Sequence, residues 1–370
     1  MKNFKTTYDK SLFDNNRGFS VGVELEVRLI DKENMKPANI SPFLFEELPY
    51  DLKEYVHQEL LQSMIEIVTP VCNSAKEARN FIMDTLGRLK KITNQKGVEL
   101  AALATHPFER KDDNKFFPDP RYDELAQELG IVLKNFLISG FHIHIGMPNE
   151  KAAINSYNHT IHFLPLFIAL SANSPFIVSE DTKLQSYRNK IFERLPRAGI
   201  PEYFETYKDY CELIDLLFIT NTIKSVKDVW WDVRIHQKFG TIELRVADAF
   251  YDEERTELIV LLYQALLKYY SNFKAKRELY QISKQNKWNS VRHGLDGNFI
   301  EGSRVVTIAQ KLHEVIEKLD KEGIFKELKA QDRVEALHRV VDKPSIATKL
   351  RRIYQETGSF EEVIKEEIFK

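Results

Sequence analysis

Apolar and polar positions alternate strictly in three short stretches of this chain. They are Val21-Gly22-Val23-Glu24-Leu25-Glu26-Val27, Phe141-His142-Ile143-His144-Ile145 and Thr241-Ile242-Glu243-Leu244-Arg245-Val246. Side chains of a strand point alternately to its two faces. Glu24 and Glu26 therefore share a face, as do His142 and His144, and as do Thr241, Glu243 and Arg245. The other face of each stretch is apolar and suited to cover a core. The pattern predicts a sheet with helices on its apolar side and Glu, His and Arg on the other.

Elsewhere the pattern predicts strands over Gly18 to Asp31, Gln58 to Pro70 and Glu99 to Ala104, and a histidine strand over Leu137 to Met147. Val229 to Val246 reads as a hairpin around His236 to Gly240. Helical spacing predicts an amphipathic helix over Ser74 to Gln95, capped by Asn73 or Ser74. A second helix starts at Pro148-Asn149 and runs to about Asn173, with a bend expected at Pro165. Further helices are expected over Glu202 to Leu217 and Glu253 to Ser283, and through the tail from Gly302 onward. Asp112 to Tyr122 reads as a loop, and Ser174 to Pro201 as irregular chain around one short helix. Strands separated by helices of varied length fit α+β with a mainly antiparallel sheet better than regular βαβ alternation. The expected organisation is a single catalytic domain over 1–370, with a helical C-terminal part over 302–370.

Composition narrows the function. A net charge of −2, from 53 basic and 55 acidic residues, gives no electrostatic footprint for nucleic acid or an anionic membrane. Cys72 and Cys211 are the only cysteines, too few for a metal cluster or a disulfide framework, so a cytoplasmic setting is expected. Met1 to Arg17 is polar, so no signal peptide is expected there. No run approaches the ~18 apolar residues of a membrane helix.

The alternating strands carry the candidate chemistry. Two carboxylates on one strand face repel unless the face is wet or holds a cation. An isolated Glu-x-Glu is ordinarily a solvated face, but the other two strands reverse that reading. His142 and His144 on one face suggest a metal ligand or phosphate donors. Glu59 and Glu66 are seven residues apart, an odd spacing that puts them on opposite faces of a regular strand. Both can face the site only if Glu59 precedes the strand or a bulge intervenes. Arg245, Arg234 and Arg188 are candidate clamps for phosphate or carboxylate. Trp230 and Trp231 read as core, His159 and His162 as packing or surface, and Cys72 has no assigned role. Neither GxxxxGK[ST] nor GxGxxG occurs, so a bound nucleotide would need neither a Walker loop nor a Rossmann turn.

At these residues the chain resembles a known family. The series runs from Gly22-Val23-Glu24-Leu25-Glu26 through Glu66 with Thr69-Pro70, Thr105-His106-Pro107-Phe108 and Gly140-Phe141-His142-Ile143-His144-Ile145-Gly146. It continues with Leu164-Pro165-Leu166, Ala169 to Phe176, Asp181-Thr182, Ser186-Tyr187-Arg188, Leu195-Pro196 and Gly199-Ile200-Pro201. Trp231-Asp232-Val233-Arg234, Gly240 to Arg245 with Asp248, and Arg292-His293-Gly294-Leu295 complete it. The co-linear set, from about Gly18 to Gly297, is similar to the type 2 glutamate–cysteine ligases, the carboxylate–amine ligase group.

That resemblance implies a glutamine-synthetase-like fold, an antiparallel sheet forming a funnel, and the use of ATP with Mg²⁺ or Mn²⁺. It implies Glu24, Glu26, Glu59, Glu66, His142 and Glu243 as metal ligands, and Arg245 on the transferred phosphate. His144 and Thr241, with Arg245, are the expected nucleotide contacts, and Arg234 and Arg188 assist catalysis. The substrates would be a small-molecule carboxylate, glutamate by analogy, and an amine such as cysteine. A homodimer is a possible assembly. Two positions depart from the family: Lys183 stands where glycine is common, and Phe141 where a small polar residue is common. Both positions bear on the substrate pocket, so the resemblance leaves the amine acceptor open.

The rival readings are a metal-dependent hydrolase or phosphotransferase on the same sheet, and a non-catalytic carboxylate binder. If Glu24, Glu26 and Glu243 form one repelling cluster, replacing any of them should leave the metal-free fold intact or more stable.

Overall fold

The computed structural model describes residues 6–14 and 18–370. The reading of Met1 to Arg17 as no signal peptide lies partly outside them. Among the described residues, no helix is long and apolar enough to cross a membrane.

The three alternating stretches are adjacent strands of one seven-stranded sheet. Its strands are β1 (Val21–Asp31), β2 (Val56–Gln58), β3 (Met64–Val68), β4 (Val98–Ala101), β5 (Gly140–Gly146), β6 (Val233–His236) and β7 (Thr241–Asp248). The order is β6-β7-β5-β1-β3-β2, with β4 paired to the far half of β1, and every pairing is antiparallel. The fold is α+β with a mainly antiparallel sheet, as the pattern predicts.

The apolar side of the sheet packs on helices α1 (Ala75–Asn94), α2 (Glu150–Ser171) and α3 (Glu253–Tyr270). Ser74 caps α1 by accepting the Glu77 N–H, and Asn149 caps α2 by accepting the Ala152 N–H. Helix α2 continues through Pro165. One apolar cluster joins Val23, Leu25, Phe141, Ile143 and Leu244 of the strands to residues of the tail as distant as Val363.

Four expectations need correction. Gln58 to Pro70 is not one strand but most of a hairpin, with His57 opposite Glu66. The residues between leave the ladder, and there the Gln62 N–H donates to the Lys115 carbonyl and the Phe117 N–H to the Leu60 carbonyl instead. The long helix over Glu253 to Ser283 breaks into α3 and α4 (Tyr280–His293). Asn155 donates to the Ser271 carbonyl and Asn272 to those of Lys268 and Tyr269, which ends α3 without Gly or Pro. The tail opens with a β-hairpin, Asn298–Glu301 and Arg304–Thr307, turning at Gly302, before its helices begin at Ile308. Within Asp112 to Tyr122, a helix already begins at Pro120.

Candidate active site

The pairing registers decide which polar side chains meet. Glu24 lies opposite His142, and Glu243 lies opposite both His144 and Arg234. Glu26 lies directly opposite Glu66. Like charges at a directly opposed pair are destabilising, so this face concentrates negative charge against the ordinary rule.

The imidazoles sit among these carboxylates. His142 Nδ1 lies 3.1 Å from Glu24 Oε2, and His144 Nε2 lies 3.2 Å from Glu24 Oε1. His142 Nε2 is 3.9 Å from Glu26 Oε1 and makes no hydrogen bond although it is buried. His144 Nδ1 pairs with Thr241 Oγ1 at 3.0 Å. The Gly140 N–H donates to Glu26 Oε2 at 2.5 Å.

The charges are unequal. Burial drives Glu24 up, but His144 and His142 outweigh it and hold the carboxyl well below its usual range. Glu66 is pushed well above that range by burial and then by Glu24, Glu59 and Glu26. Glu59 is raised too, by burial and by Glu26. Burial lowers His142, helped by Arg245, whereas Glu24 and Glu243 overcome burial and raise His144.

Two metal-like groupings result, Glu24 with His142 and Glu243, and Glu26 with Glu66 and His142. In each, the ligand atoms lie within 4.8 Å of one another. Carboxylate oxygens with one imidazole suit a hard divalent cation, and the unpaired His142 Nε2 leaves a position open for one. Glu59 belongs to neither grouping. It precedes β3, as the odd spacing requires, and its Oε2 accepts the Leu60 N–H.

Glu243 differs from the other carboxylates. It is fully buried and held by Arg234 through Nε at 2.5 Å and Nη2 at 3.2 Å, and by Arg245 Nη1. These guanidiniums overcome burial and keep it strongly ionised. The expectation that Glu243 merely repels Glu24 and Glu26 is therefore overturned. Arg245 lies where the β7–β5 register slips between Leu244 and Ala247, an irregularity of the kind that re-aims a side chain.

Arg188 reaches the same face from the short helix Tyr187–Phe192. It is buried and donates through Nη1 to the Arg245 carbonyl at 3.1 Å. Its guanidinium fills the place a side chain at Gly140 would take, since a Cβ there would collide with it and come within 2.8 Å of His142 Nε2. A cavity of about 850 Å³ opens at the Gly22 end of the face, lined by Glu24, His144, Thr241, Thr69, Lys238 and Phe239.

The two departures from the family lie in different surroundings. Phe141 points to the apolar side and packs on Phe250, so it lies outside the site. Lys183 has φ +61, a left-handed backbone that favours glycine, and its ammonium pairs with Asp181 at the surface.

Several residues at or near the site escaped the sequence reading. Arg28 continues the Glu24, Glu26 face of β1, and the same alternation marks it. Glu109 follows the His-Pro-Phe turn, and Arg28 Nη1 donates to it at 2.9 Å. His57 acquires its place only through the β2–β3 register.

The model of the glutamate–cysteine ligase family 2 matches residues 20–366. A Solibacter usitatus protein carrying the provisional name glutamate–cysteine ligase 2 is 33% identical over 353 residues, covering 93% of this chain and 91% of that protein. A glutamate–cysteine ligase from Francisella tularensis, solved in complex with AMP, superposes with a TM-score of 0.69 at 14% identity, covering 95% of this chain and 88% of that one. A bifunctional glutathione synthetase from Pasteurella multocida gives a TM-score of 0.71 at 13% identity. The match covers 96% of this chain but only 52% of that enzyme, so the chain spans about half its length. The fold is thus the glutamine-synthetase-like one.

Proposed function

The chain belongs to glutamate–cysteine ligase family 2, and from that we propose that it is an ATP-dependent carboxylate–amine ligase. It activates a carboxylate, glutamate by analogy with the relatives' names, as an acyl phosphate and joins it to an amine such as cysteine. The observation that carries this reading is the directly opposed Glu26–Glu66 pair with His142 beside it. A cation bound there would relieve the repulsion of the opposed pair.

A carboxylate does not react with an amine at neutral pH because its leaving group would be an oxide. Phosphorylation supplies a better leaving group, and this transfer needs positioning and charge neutralisation above all. Glu26, Glu66 and His142, with Glu24 and Glu243, would hold Mg²⁺ or Mn²⁺, which supplies neutralising charge for the phosphates. Arg245 and Arg234 are charged, forked donors beside that site. They would exchange part of their hold on Glu243 for phosphate oxygens and the developing oxyanion. Arg188, locked behind Gly140, adds positive charge and fixes the Arg245 backbone. His144 and Thr241, on the wall of the large cavity, are the proposed nucleotide contacts.

The test is ADP release from ATP and Mg²⁺, screened over pairs of amino acids. The expected result is release that needs both a carboxylate and an amine and stops in EDTA. Phosphate release at an unchanged rate without any amine would overturn the ligase reading in favour of a hydrolase.

A further inference from the structure

The Thr105-His106-Pro107-Phe108 turn takes no part in the chemistry above, yet it is built tightly around one carboxylate. His106 Nε2 lies 2.8 Å from the Met35 carbonyl, and Nδ1 lies 3.3 Å and 3.0 Å from the backbone nitrogens of Phe108 and Glu109. The ring can satisfy all three only by donating from Nε2 and accepting at Nδ1. Burial and the nearby Arg28 push it down to about 3, so it stays neutral. This turn sets Glu109 against Arg28.

Glu109 Oε2 accepts from Arg28 Nη1 at 2.9 Å and from Asn114 Nδ2 at 2.9 Å. Its Oε1 makes no hydrogen bond, and neither does Arg28 Nη2, although Glu109 is 1% exposed and Arg28 0%. Buried polar atoms without partners call for an explanation, and an unseen ligand is one. Burial pushes Glu109 above its usual range despite Arg28, so a further cation at this carboxylate would be favourable.

Glu109 lines a cavity of about 280 Å³ whose other walls include Lys111, Asn135, Tyr187 and Arg194. That lies near the lower end of small-molecule pockets, ~300 Å³. Val178 also lines it, at φ +48, followed by Ser179 at φ +62. A β-branched residue in this region is strained, and such strain gathers at functional sites. The Ser179 N–H ties that turn to the Pro107 carbonyl at 2.8 Å.

The cavity lies at the Gly140 end of the carboxylate face. Arg28 is two residues beyond Glu26 on the same face of β1, roughly 7 Å along the strand. Its Nε donates to Ser139, the neighbour of Gly140, and Tyr187 is the neighbour of Arg188.

We propose that this cavity receives the zwitterionic head of an α-amino-acid substrate, its ammonium on Glu109 and its carboxylate on Arg194. Glu109 and Arg194 are then specificity-determining residues, an assignment that rests on the ligase reading.

The experiment screens the common L-α-amino acids by thermal shift of the full chain with Mg²⁺. The strongest binder is then measured by calorimetry, alongside its des-amino analogue (glutarate, for L-glutamate). Expected is at least about tenfold weaker binding of the des-amino compound, because Glu109 loses its partner. Arg194→Ala, at an exposed position, should weaken the amino acid by a similar factor, and Glu109→Gln should erase the discrimination against the des-amino analogue. Should Glu109→Gln not fold, the Arg194 variant decides alone. Equal affinity for the amino acid and its analogue, equal affinity of wild type and Arg194→Ala, or no binding of any amino acid overturns the proposal. Because this reads binding and not turnover, it separates failure of the pocket from failure of the ligase reading, which ADP release reports.

Discussion

Two carboxylates of the same face should respond oppositely to loss of their charge. Glu66 faces Glu26 across the β1–β3 pair, and in the absence of metal burial and three other carboxylates raise it well above its usual range. A raised carboxyl binds its proton more tightly in the folded state than in the unfolded one. It therefore costs nothing below the unfolded value of about 4.3, and its penalty grows as pH rises through the folded value. Glu66→Gln removes that penalty, so in EDTA at pH 8 the variant should be more stable than wild type, by about 1–3 kcal/mol. At pH 4 the gain should vanish.

Glu243 is lowered, not raised, because Arg234 and Arg245 outweigh its burial. Its contribution is present above the unfolded value and lost only in strong acid. Glu243→Gln leaves two largely buried guanidiniums without their counter-charge, which costs about 3–5 kcal/mol. With ~2.1 cal/mol/K of unfolding entropy per residue over 370 residues, that lowers Tm by roughly 4–6 °C. Differential scanning calorimetry in EDTA measures both. Addition of Mg²⁺ or Mn²⁺ supplies the second arm: wild type should gain about 2.7 kcal/mol at a hundredfold excess over Kd, and Glu66→Gln less. A drop in Tm for Glu66→Gln in EDTA, or no drop for Glu243→Gln, would refute this division of the face.

Other outcomes follow from sites away from the carboxylate face. Burial raises Glu367 to about 7 although Asn173 donates to it at 2.9 Å. Its penalty therefore sets in between the unfolded value and about 7, and Glu367→Gln should raise Tm more at pH 8 than at pH 5; equal gains would contradict it. Burial pushes the Cys72 and Cys211 thiols up to about 11, so iodoacetamide at pH 7.5 should leave the native chain unmodified by mass spectrometry until urea unfolds it. The turn at Val178 and Ser179 has both residues at positive φ, where Asn-Gly is favoured. Val178→Asn with Ser179→Gly should stabilise the chain by about 1–2 kcal/mol in urea melts, and an unchanged midpoint would show the turn to be unstrained.

Alternation by itself determined which faces carry chemistry, because period two is a local property of extended chain. It put Glu24, Glu26, His142, His144, Glu243 and Arg245 on polar faces and Phe141 on the apolar one, before any strand had a neighbour. The first cap was legible to within one residue, as Asn73 or Ser74, and so was a helix start at Pro148-Asn149, since a cap is a contact over three residues. Only the tertiary structure decided who faces whom. The Glu26–Glu66 opposition, the clamp of Arg234 and Arg245 on Glu243, and the seating of Arg188 at Gly140 all depend on strand register and chain crossings. No local spacing encodes those. The same limit explains the errors: α3 ends where Asn155 of a different helix takes a carbonyl, and β2 pairs with β3 because the residues between them bond a distant loop. Glu109 gains its partner Arg28 only when β1 and the His106 turn are packed together, which no pattern along the chain records.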